Sequence, residues 1–165
     1  WFACVLSSQS PYPSTLPWIG VVLACFRIFP TQGLRPNLEM GLICLAMGLL
    51  GDGLLVRSGM ISFANSPTIL EAPYWMLCLW FAFGLFLKRL FRWFVESYAR
   101  ALSGFSVGGI CAYSGGAGLG ALKIEREEIS LLAIGVEWAF AGLVLCFAWK
   151  RYLPAPRTSI TNDKD

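Results

Sequence analysis

The sequence predicts an all-α fold: a polytopic bundle of transmembrane helices with five full spans and a partial span at the N-terminus. The 165-residue chain is 56% hydrophobic and only 14% charged, whereas soluble domains carry about 25% charged residues. A helix that crosses the hydrocarbon core of a bilayer needs about 20 mostly apolar residues. Five segments meet this need alone or with their flanks: 16–29, 38–56, 72–91, 101–120 and 129–149. They predict one membrane domain over 1–149 and a polar cytoplasmic tail over 150–165.

The N-terminal segment "WFACVL" is apolar but too short to span a bilayer. It is followed by "SSQSPYPSTLP", whose composition is typical of a turn. We expect a truncated helix whose start precedes Trp1. The alternatives are a short tail and a cleaved signal peptide, although no n-region or cleavage site supports the latter.

The basic residues predict the orientation, because cytoplasmic loops carry an excess of Lys and Arg. If all five segments cross, one side holds ten of the 13 basic residues. These ten are Arg27, Arg35, Lys88, Arg89, Arg92, Arg100, Lys150, Arg151, Arg157 and Lys164. The other side holds Arg57, Lys123 and Arg126. The sequence therefore predicts a bacterial inner-membrane protein with a cytoplasmic C-terminus, with 7–15, "SFANSPTILEAP" and "KIEREE" facing outward.

Tryptophans near the span ends agree with this orientation, because indoles favour the membrane interface. Trp18 and Trp75 fall at predicted outer ends, and Trp93 and Trp149 at inner ends. Two further tryptophans, Trp80 and Trp138, fall deeper in their spans, where we expect ordinary packing.

The segment 101–120 contains a stripe of small residues at four-residue spacing. The stripe consists of Gly104, Gly108, Ala112, Gly116 and Gly120. Such stripes let the backbones of membrane helices approach closely, so we expect a helix-packing face here, opposite Phe105, Ile110, Tyr113 and Leu119. Phosphate binding is disfavoured, because "GAGLGALK" lacks both the Gly-Lys-Ser/Thr of a P-loop and the GxGxxG spacing.

The stretch "KRLFRWFVESYARAL" (88–102) follows the third span and is basic. We expect it to continue that helix as an amphipathic tail at the lipid headgroups, with Arg92–Glu96 and Glu96–Arg100 pairs along its surface. Its candidate headgroup contacts are Lys88, Arg89, Arg92 and Arg100. Anionic lipids would attract these side chains; the alternative is that they only set topology. Nucleic-acid binding is disfavoured by the short patch and the net charge of +3.

Two acidic residues fall inside predicted spans. Asp52 lies toward the outer half of 38–56 and Glu137 near the middle of 129–149, so we expect similar depths. Ionisable residues within a membrane face the bundle interior and find a partner. Arg57 is a possible partner for one of them. The pair is interpreted as interhelical hydrogen bonding, as a substrate or proton site, or as polar cavity lining.

The cysteines offer no sign of a cofactor. Each falls in a different apolar segment and none forms a CxxC pair, so we interpret them as small hydrophobic residues. They are Cys4, Cys25, Cys44, Cys78, Cys111 and Cys146. No metal, haem or other cofactor is expected.

The order of five motifs resembles a family of small bacterial inner-membrane proteins known only as a domain of unknown function. The motifs are "WFACVL", "LPWIGVVL", "GDGLLVRSGMISF", "APYWMLCLWFAFG" and "GGICAYSGGAGLGALK". The resemblance covers nearly all of 1–150 and implies six spans, a first helix that begins before Trp1, and no assigned activity. It also implies that Asp52 is the family's intramembrane acid, that Pro73 and Trp75 are outer-end residues, and an association with fatty-acid modification and envelope stress. Glu137 matches no motif of the family.

Three functions remain open from the sequence. The first is a non-enzymatic accessory or scaffold for membrane-lipid modification or envelope maintenance, working with a membrane-protein partner or as a homo-oligomer. The second is a small-solute or lipid transporter that uses the intramembrane carboxylates. The third, an intramembrane enzyme, would depend on the two carboxylates alone, because no nucleophile lies beside a base.

Overall fold

The computed structural model describes residues 1–13, 15–32, 34–63 and 68–152. It is mostly helical, in agreement with the predicted class. The helices are α1 (Phe2–Ser7), α2 (Leu16–Gln32), α3 (Leu34–Arg57), α4 (Tyr74–Leu90), α5 (Arg92–Val95), α6 (Tyr98–Gly118) and α7 (Glu127–Tyr152). Four short strands add two small sheets that an all-α prediction omits. They are β1 (Ile61–Phe63), β2 (Thr68–Ile69), β3 (Ala72–Pro73) and β4 (Leu122–Ile124).

Each predicted apolar segment falls on a helix, but not all of these helices are long and apolar enough to cross a membrane. Within the described ranges, two helices are long enough and apolar enough to cross a membrane. They are Arg35–Arg57 of α3 and Glu127–Arg151 of α7. The helices α2 and α4 have only 17 residues each. Helix α6 is longer, but its many glycines lower its hydrophobicity. The coarse result is therefore a helical protein with two candidate membrane-spanning helices.

The basic stretch after α4 is broken, which corrects the expectation of one continuous amphipathic tail. Phe91, with φ −117° and ψ 10°, ends α4, and Ser97 is extended with φ −135° and ψ 131° before α6 begins. Arg92 pairs with Glu96 at 2.7 Å within the intervening short helix α5. Arg100 belongs to α6 instead, and its guanidinium lies over the Trp93 ring at 4.4 Å.

Two helix pairs, α3–α4 and α6–α7, form the most extensive packing in the chain. Both depend on close backbone approach at a glycine. A Cβ atom at Gly84 would lie 2.6 Å from the Cα of Gly41 and closer still to the carbonyl oxygen of Met40. A Cβ at Gly142 would lie 2.6 Å from the carbonyl oxygen of Ala101. Small residues at such positions bring helix axes together.

Aromatic side chains fill the space between the two helix pairs. The rings of Trp80 on α4 and Trp138 on α7 are stacked, with centroids 4.3 Å apart and planes at 21°. Phe83 is edge-on to Trp138 at 5.4 Å and to Phe105 of α6 at 5.5 Å. Offset-stacked and edge-to-face contacts are the favourable arrangements for aromatic pairs, so the α3–α4 and α6–α7 pairs are held together by this layer.

Three chain connections meet at one end of the bundle. Strands β1 and β4 pair antiparallel, with Ile61 opposite Ile124. The Gln9 side-chain amide donates to the carbonyl oxygen of Leu119, which ties the α1–α2 connection to the end of α6. The connections at this end, called the sheet end below, are the three that the sequence analysis places on one side. The part of the "SFANSPTILEAP" loop over 64–67 lies outside the described residues.

A small polar network covers the sheet end. Ser62 of β1 donates to Glu125 at 2.7 Å, and the Lys123 ammonium lies 2.6 Å from the same carboxylate. The Lys123 ammonium, followed by the Ser62 hydroxyl, holds the pKa of Glu125 below its usual range. The network connects the two strands through side chains as well as through backbone.

The opposite end of the bundle gathers the α4–α6 connection and the end of α7. The Lys150 ammonium lies over the Tyr98 ring at 3.9 Å. Trp93 is 60% exposed and suits an interfacial position. Trp75 and Trp149, predicted as interfacial anchors, are instead packed in the core, with 1% and 9% exposure. Arg157, Lys164 and most of the predicted tail lie outside the described residues.

Candidate functional site

Asp52 lies inside the bundle, and its carboxylate joins three helices. The residue is fully buried on α3. Trp80 of α4 donates its indole N–H to Asp52 Oδ2 at 2.9 Å. Tyr113 of α6 donates its hydroxyl to Asp52 Oδ1. Each carboxylate oxygen therefore accepts one hydrogen bond from a different helix. We call Asp52, Trp80 and Tyr113 the acid cluster.

Glycines make room for the aromatic members of this region. A Cβ at Gly48, one turn before Asp52 on α3, would collide with the Trp80 indole. A Cβ at Gly109, one turn before Tyr113 on α6, would collide with the indole of Trp138. Because residues four apart share a helix face, each glycine opens the space beside a member of the acid cluster. This arrangement lets the stacked tryptophans reach the middle of the bundle.

Glu137 of α7 lies beside the acid cluster but outside its hydrogen bonds. A Cβ at Gly51 would meet the Glu137 carboxyl carbon at 2.6 Å. Gly51 directly precedes Asp52 on α3, so the Glu137 side chain lies next to the segment that carries the acid cluster. Both carboxyl oxygens of Glu137 are buried and have no hydrogen-bond partner among the described residues. Such an arrangement is unusual, because buried polar side chains nearly always have one.

A groove of about 670 Å³ runs between α3 and α7 on the outside of the bundle. Among the described residues that line it, Glu137 is the one with a polar side chain. The remaining lining is Met47, Leu50, Gly51, Leu54, Leu55, Ile129, Leu132, Ala133, Val136 and Phe140. The lining of α7 from Ile129 to Phe140 corresponds to roughly 17 Å along a helix. The groove thus extends from near the sheet end to the middle of α7, with the Glu137 side chain on its floor and the two carboxyl oxygens buried beneath the groove surface.

Arg57 takes no part in this site. Its side chain is exposed at the end of α3, and no salt bridge joins it to either acid in the part of the chain that the structure describes. The expectation that Arg57 compensates one of the acids is therefore not met. The indole of Trp80 and the hydroxyl of Tyr113 supply neutral donors to Asp52 instead.

The stripe of small residues does not coincide with the buried face of α6. That face consists of Ala101, Phe105, Gly109, Tyr113 and Gly116, so the packing row is displaced by one residue over most of its length. Gly108 is exposed, and a Cβ there would meet nothing within 4 Å. Gly120 lies beyond α6 and has a φ of +73°, which serves the turn into β4. Gly104, packed against Phe94, and Gly116, packed against Leu122, do make close contacts, and Ala112 is half-buried against the core.

The candidate headgroup residues lie at the end of the bundle opposite the sheet. Lys88 and Arg89 occupy the last turn of α4. Arg92 is largely exposed beside Glu96. The structure gathers the four basic side chains at one end but uses two of them in intramolecular contacts, Arg92 with Glu96 and Arg100 with Trp93.

Sequence reasoning missed two members of the acid cluster. Trp80 was assigned to ordinary packing, and Tyr113 was placed opposite the packing face. One signal was available, because a hydroxyl or indole N–H inside an apolar helix requires a partner. Asp52 has no basic residue beside it in the middle of its span, so its carboxylate also requires neutral donors. The Trp80 indole N–H and the Tyr113 hydroxyl are donors of this kind.

The arrangement can hold helices together, because the two oxygens of Asp52 accept hydrogen bonds from two other helices. No group of three His, Cys, Asp or Glu side chains is close enough to hold a metal ion in the described ranges. Both oxygens of Asp52 are engaged by the hydrogen bonds from Trp80 and Tyr113. The Glu137 carboxyl, by contrast, is buried next to the groove and has no hydrogen-bond partner among the described residues.

Comparison with known proteins gives one family. Neither curated proteins nor solved structures give a match. The model of a family described as "Protein of unknown function (DUF2878)" matches residues 1–144. This range holds α1 to α6 and most of α7, including the acid cluster and Glu137. The chain therefore belongs to the DUF2878 family of proteins of unknown function.

Proposed function

We propose that the protein is a multi-pass inner-membrane protein with five crossing helices, and that it acts as a non-enzymatic accessory or scaffold for membrane-lipid modification or envelope maintenance. The accessory role is supported by the acid cluster, in which Asp52 is fully buried and has both oxygens hydrogen-bonded. A buried carboxylate with both oxygens hydrogen-bonded to neutral donors fixes three helices in place. It is not presented to a substrate, as a catalytic acid must be.

The membrane location is supported by the outer faces of the helices. Large apolar side chains are exposed along them, whereas soluble proteins rarely expose extensive apolar patches. On α7 the exposed residues recur on one face: Ile129, Leu132, Val136, Phe140 and Phe147. Comparable exposed residues occur on α2, at Ile19, Val22, Leu23 and Phe26. Lipid is the solvent in which such a surface is stable.

The five crossings are supported by the position of the connections. The α1–α2, α3–α4 and α6–α7 connections share the sheet end, and the α4–α6 connection lies at the other end with Lys150. Helices that alternate between two ends in this way suit a bundle that crosses a bilayer repeatedly. The excess of basic residues at the second end supports a cytoplasmic C-terminus.

The topology can be measured with reporter fusions. A reporter placed after Asp165 should be active only in the cytoplasm, and one inserted in "SFANSPTIL" should be active only outside. A third fusion between Val95 and Tyr98 should report the cytoplasm again. The same side for the first two fusions would rule out an odd number of crossings between them.

The accessory role can be tested by deleting the gene and analysing membrane lipids. We expect an altered acyl or headgroup composition that the wild-type gene restores. The protein should also remain bound to a lipid-modifying membrane enzyme in mild detergent, and the activity of that enzyme in isolated membranes should fall in the deletion strain. Unchanged lipids together with unchanged enzyme activity would contradict this role.

A second function, lipid transport, is favoured by one observation, the unpartnered Glu137 carboxyl at the floor of an apolar groove. Transport requires that the occupant leave on either side of the membrane. Uptake of a fluorescent lipid into the inner leaflet of vesicles that contain the protein distinguishes it from the accessory role, which predicts no transfer above protein-free vesicles.

A further inference from the structure

The groove between α3 and α7 combines two features that ordinary bilayer contacts do not need. Its walls are apolar and laterally open, which suits a hydrocarbon chain. Its floor carries Glu137, whose two oxygens have no hydrogen-bond partner among the described residues. A hydrocarbon chain alone would leave that carboxyl without a hydrogen bond. Burying a polar group unpaired in this way is unfavourable in free energy.

The position of Glu137 restricts the occupant. It lies ten residues from the start of α7 at Glu127, which is roughly 15 Å along the helix and well inside the hydrocarbon core of the proposed membrane. The ester and phosphate groups of a phospholipid stay in the interfacial region. The polar group that meets Glu137 must therefore belong to a molecule that tolerates the interior of the bilayer.

A hydroxyl group fits this position better than a charged group. An ammonium would lose its hydration well inside the bilayer, which is expensive even beside a carboxyl. A hydroxyl costs less to bury, and it can both donate and accept a hydrogen bond. It therefore satisfies the Glu137 carboxyl whether or not that carboxyl carries a proton.

The groove is suited to one chain and not to a helix. A transmembrane helix approaches closely only where small residues line the contact. The walls here carry large exposed side chains, Leu50 and Leu54 on α3 and Leu132, Val136 and Phe140 on α7. Of the two small lining residues, Gly51 and Ala133, Gly51 is already covered by the Glu137 carboxyl. A volume of about 670 Å³ is instead of the size that small-molecule sites have.

We propose that the α3–α7 groove binds a single-chain lipid alcohol, with its hydrocarbon chain along the apolar walls and its hydroxyl hydrogen-bonded to Glu137, whose buried carboxyl turns toward the groove to meet it. The site depends on the membrane location proposed above but not on the accessory role. Asp52 acts behind it as a positioning residue, because its hydrogen bonds fix α3 to α4 and α6, and α6 in turn packs against α7.

The site can be tested with dicyclohexylcarbodiimide, an apolar reagent that modifies protonated carboxyl groups in membranes. Wild-type protein in phosphatidylglycerol nanodiscs would be treated with the reagent and mapped by peptide mass spectrometry. We expect modification at Glu137, which lines the groove and has no hydrogen-bond partner among the described residues, and none at Asp52, which lies away from the groove and has both oxygens hydrogen-bonded. Hexadecan-1-ol should slow the modification about fivefold, as expected for one added hydrogen bond, whereas hexadecane should have a much smaller effect.

Two variants provide controls. Glu137→Gln should fold normally and lose the modification. Ala133→Phe, which fills the groove without touching the carboxyl chemistry, should remove the protection by hexadecan-1-ol. Equal protection by hexadecane and hexadecan-1-ol, or no modification of Glu137 in folded protein, would overturn the proposal. Stronger protection by hexadecylamine or palmitic acid than by the alcohol would overturn the choice of ligand. None of these outcomes depends on the lipid phenotype that tests the accessory role, and extraction of the protein without detergent would contradict the membrane location instead.

Discussion

Gly84→Ala should sharply reduce the amount of folded protein. A Cβ at this position would lie 2.6 Å from the Cα of Gly41 and closer still to the carbonyl oxygen of Met40. These are backbone atoms of α3, which cannot rotate aside as a side chain can. The α3–α4 pair must therefore separate, and we expect a loss of about 3 kcal/mol in unfolding free energy, the upper end of typical overpacking costs. The measurement is unfolding in mixed micelles by titration with dodecyl sulfate, together with the monodisperse yield in mild detergent.

The matched control for this substitution is Gly108→Ala. Gly108 is also a helical glycine, but a Cβ there would meet nothing within 4 Å. We expect a change of less than about 1 kcal/mol, favourable in sign, because alanine is the better helix former. Equal losses at the two positions would mean that Gly108 packs against a second copy of the chain or against another protein.

The contrast between these glycines shows how far helix periodicity predicts packing. A four-residue spacing indicated a helix from 101 to 120, and α6 occupies 98 to 118. The same spacing predicted the row through Gly108 as the packing face, because that row has small residues throughout, whereas the structure buries most of the adjacent row through Gly109. The choice depends on Trp138, whose indole lies against Gly109. Trp138 lies 29 residues after Gly109 in the chain, on another helix. The residue pattern of α6 alone therefore cannot show which row packs.

Helix positions were predictable because apolar runs of this length have few alternatives. Their interruptions were not. The break at Phe91 occurs without proline or glycine, and it brings the Phe91 ring to 4.6 Å from Phe83 and the Phe94 ring to 5.9 Å from Phe105. The strands β1 and β4 are three residues each, and they pair across about 60 residues of chain. Segments so short carry no periodic signal.

The candidate site was predictable in its acids and not in its partners. Asp52 and Glu137 were conspicuous because carboxyls are rare inside apolar segments. Their proximity followed from similar depth, and the structure places the Glu137 carboxyl beside Gly51. The donors to Asp52 come from residues 28 and 61 positions away. Tryptophan and tyrosine are abundant in this chain, so composition alone did not indicate which of them would serve.

Asp52→Leu should have the second large effect on stability. The substitution removes an acceptor from two buried donors, the Trp80 indole N–H and the Tyr113 hydroxyl. Leaving a buried donor unsatisfied costs about 1–3 kcal/mol, although exchange of partners within a membrane reduces such values. We expect a total loss of about 2–4 kcal/mol for the two donors, measured by the same dodecyl sulfate titration. Adding Tyr113→Phe to Asp52→Leu should recover part of this loss, because one stranded hydroxyl is removed; additive losses in this double-mutant cycle would contradict the hydrogen bond between them.

The phenotype of Asp52→Asn distinguishes two roles of Asp52: holding the helices together by hydrogen bonds, or carrying a proton or a cation. The amide has nearly the shape of the carboxylate, accepts through its oxygen and donates through its nitrogen, so it can keep the Trp80 bond and donate to the Tyr113 oxygen. If Asp52 fastens α3 to α4 and α6, the variant should keep most of the folded yield and should restore the membrane lipids of a deletion strain. If Asp52 carries a proton or a cation, the variant should fold normally and fail to restore them, because an amide does not titrate. We expect restoration, because both oxygens of Asp52 are already occupied by neutral donors and Arg57, the basic residue nearest to it along the chain, lies exposed at the end of α3.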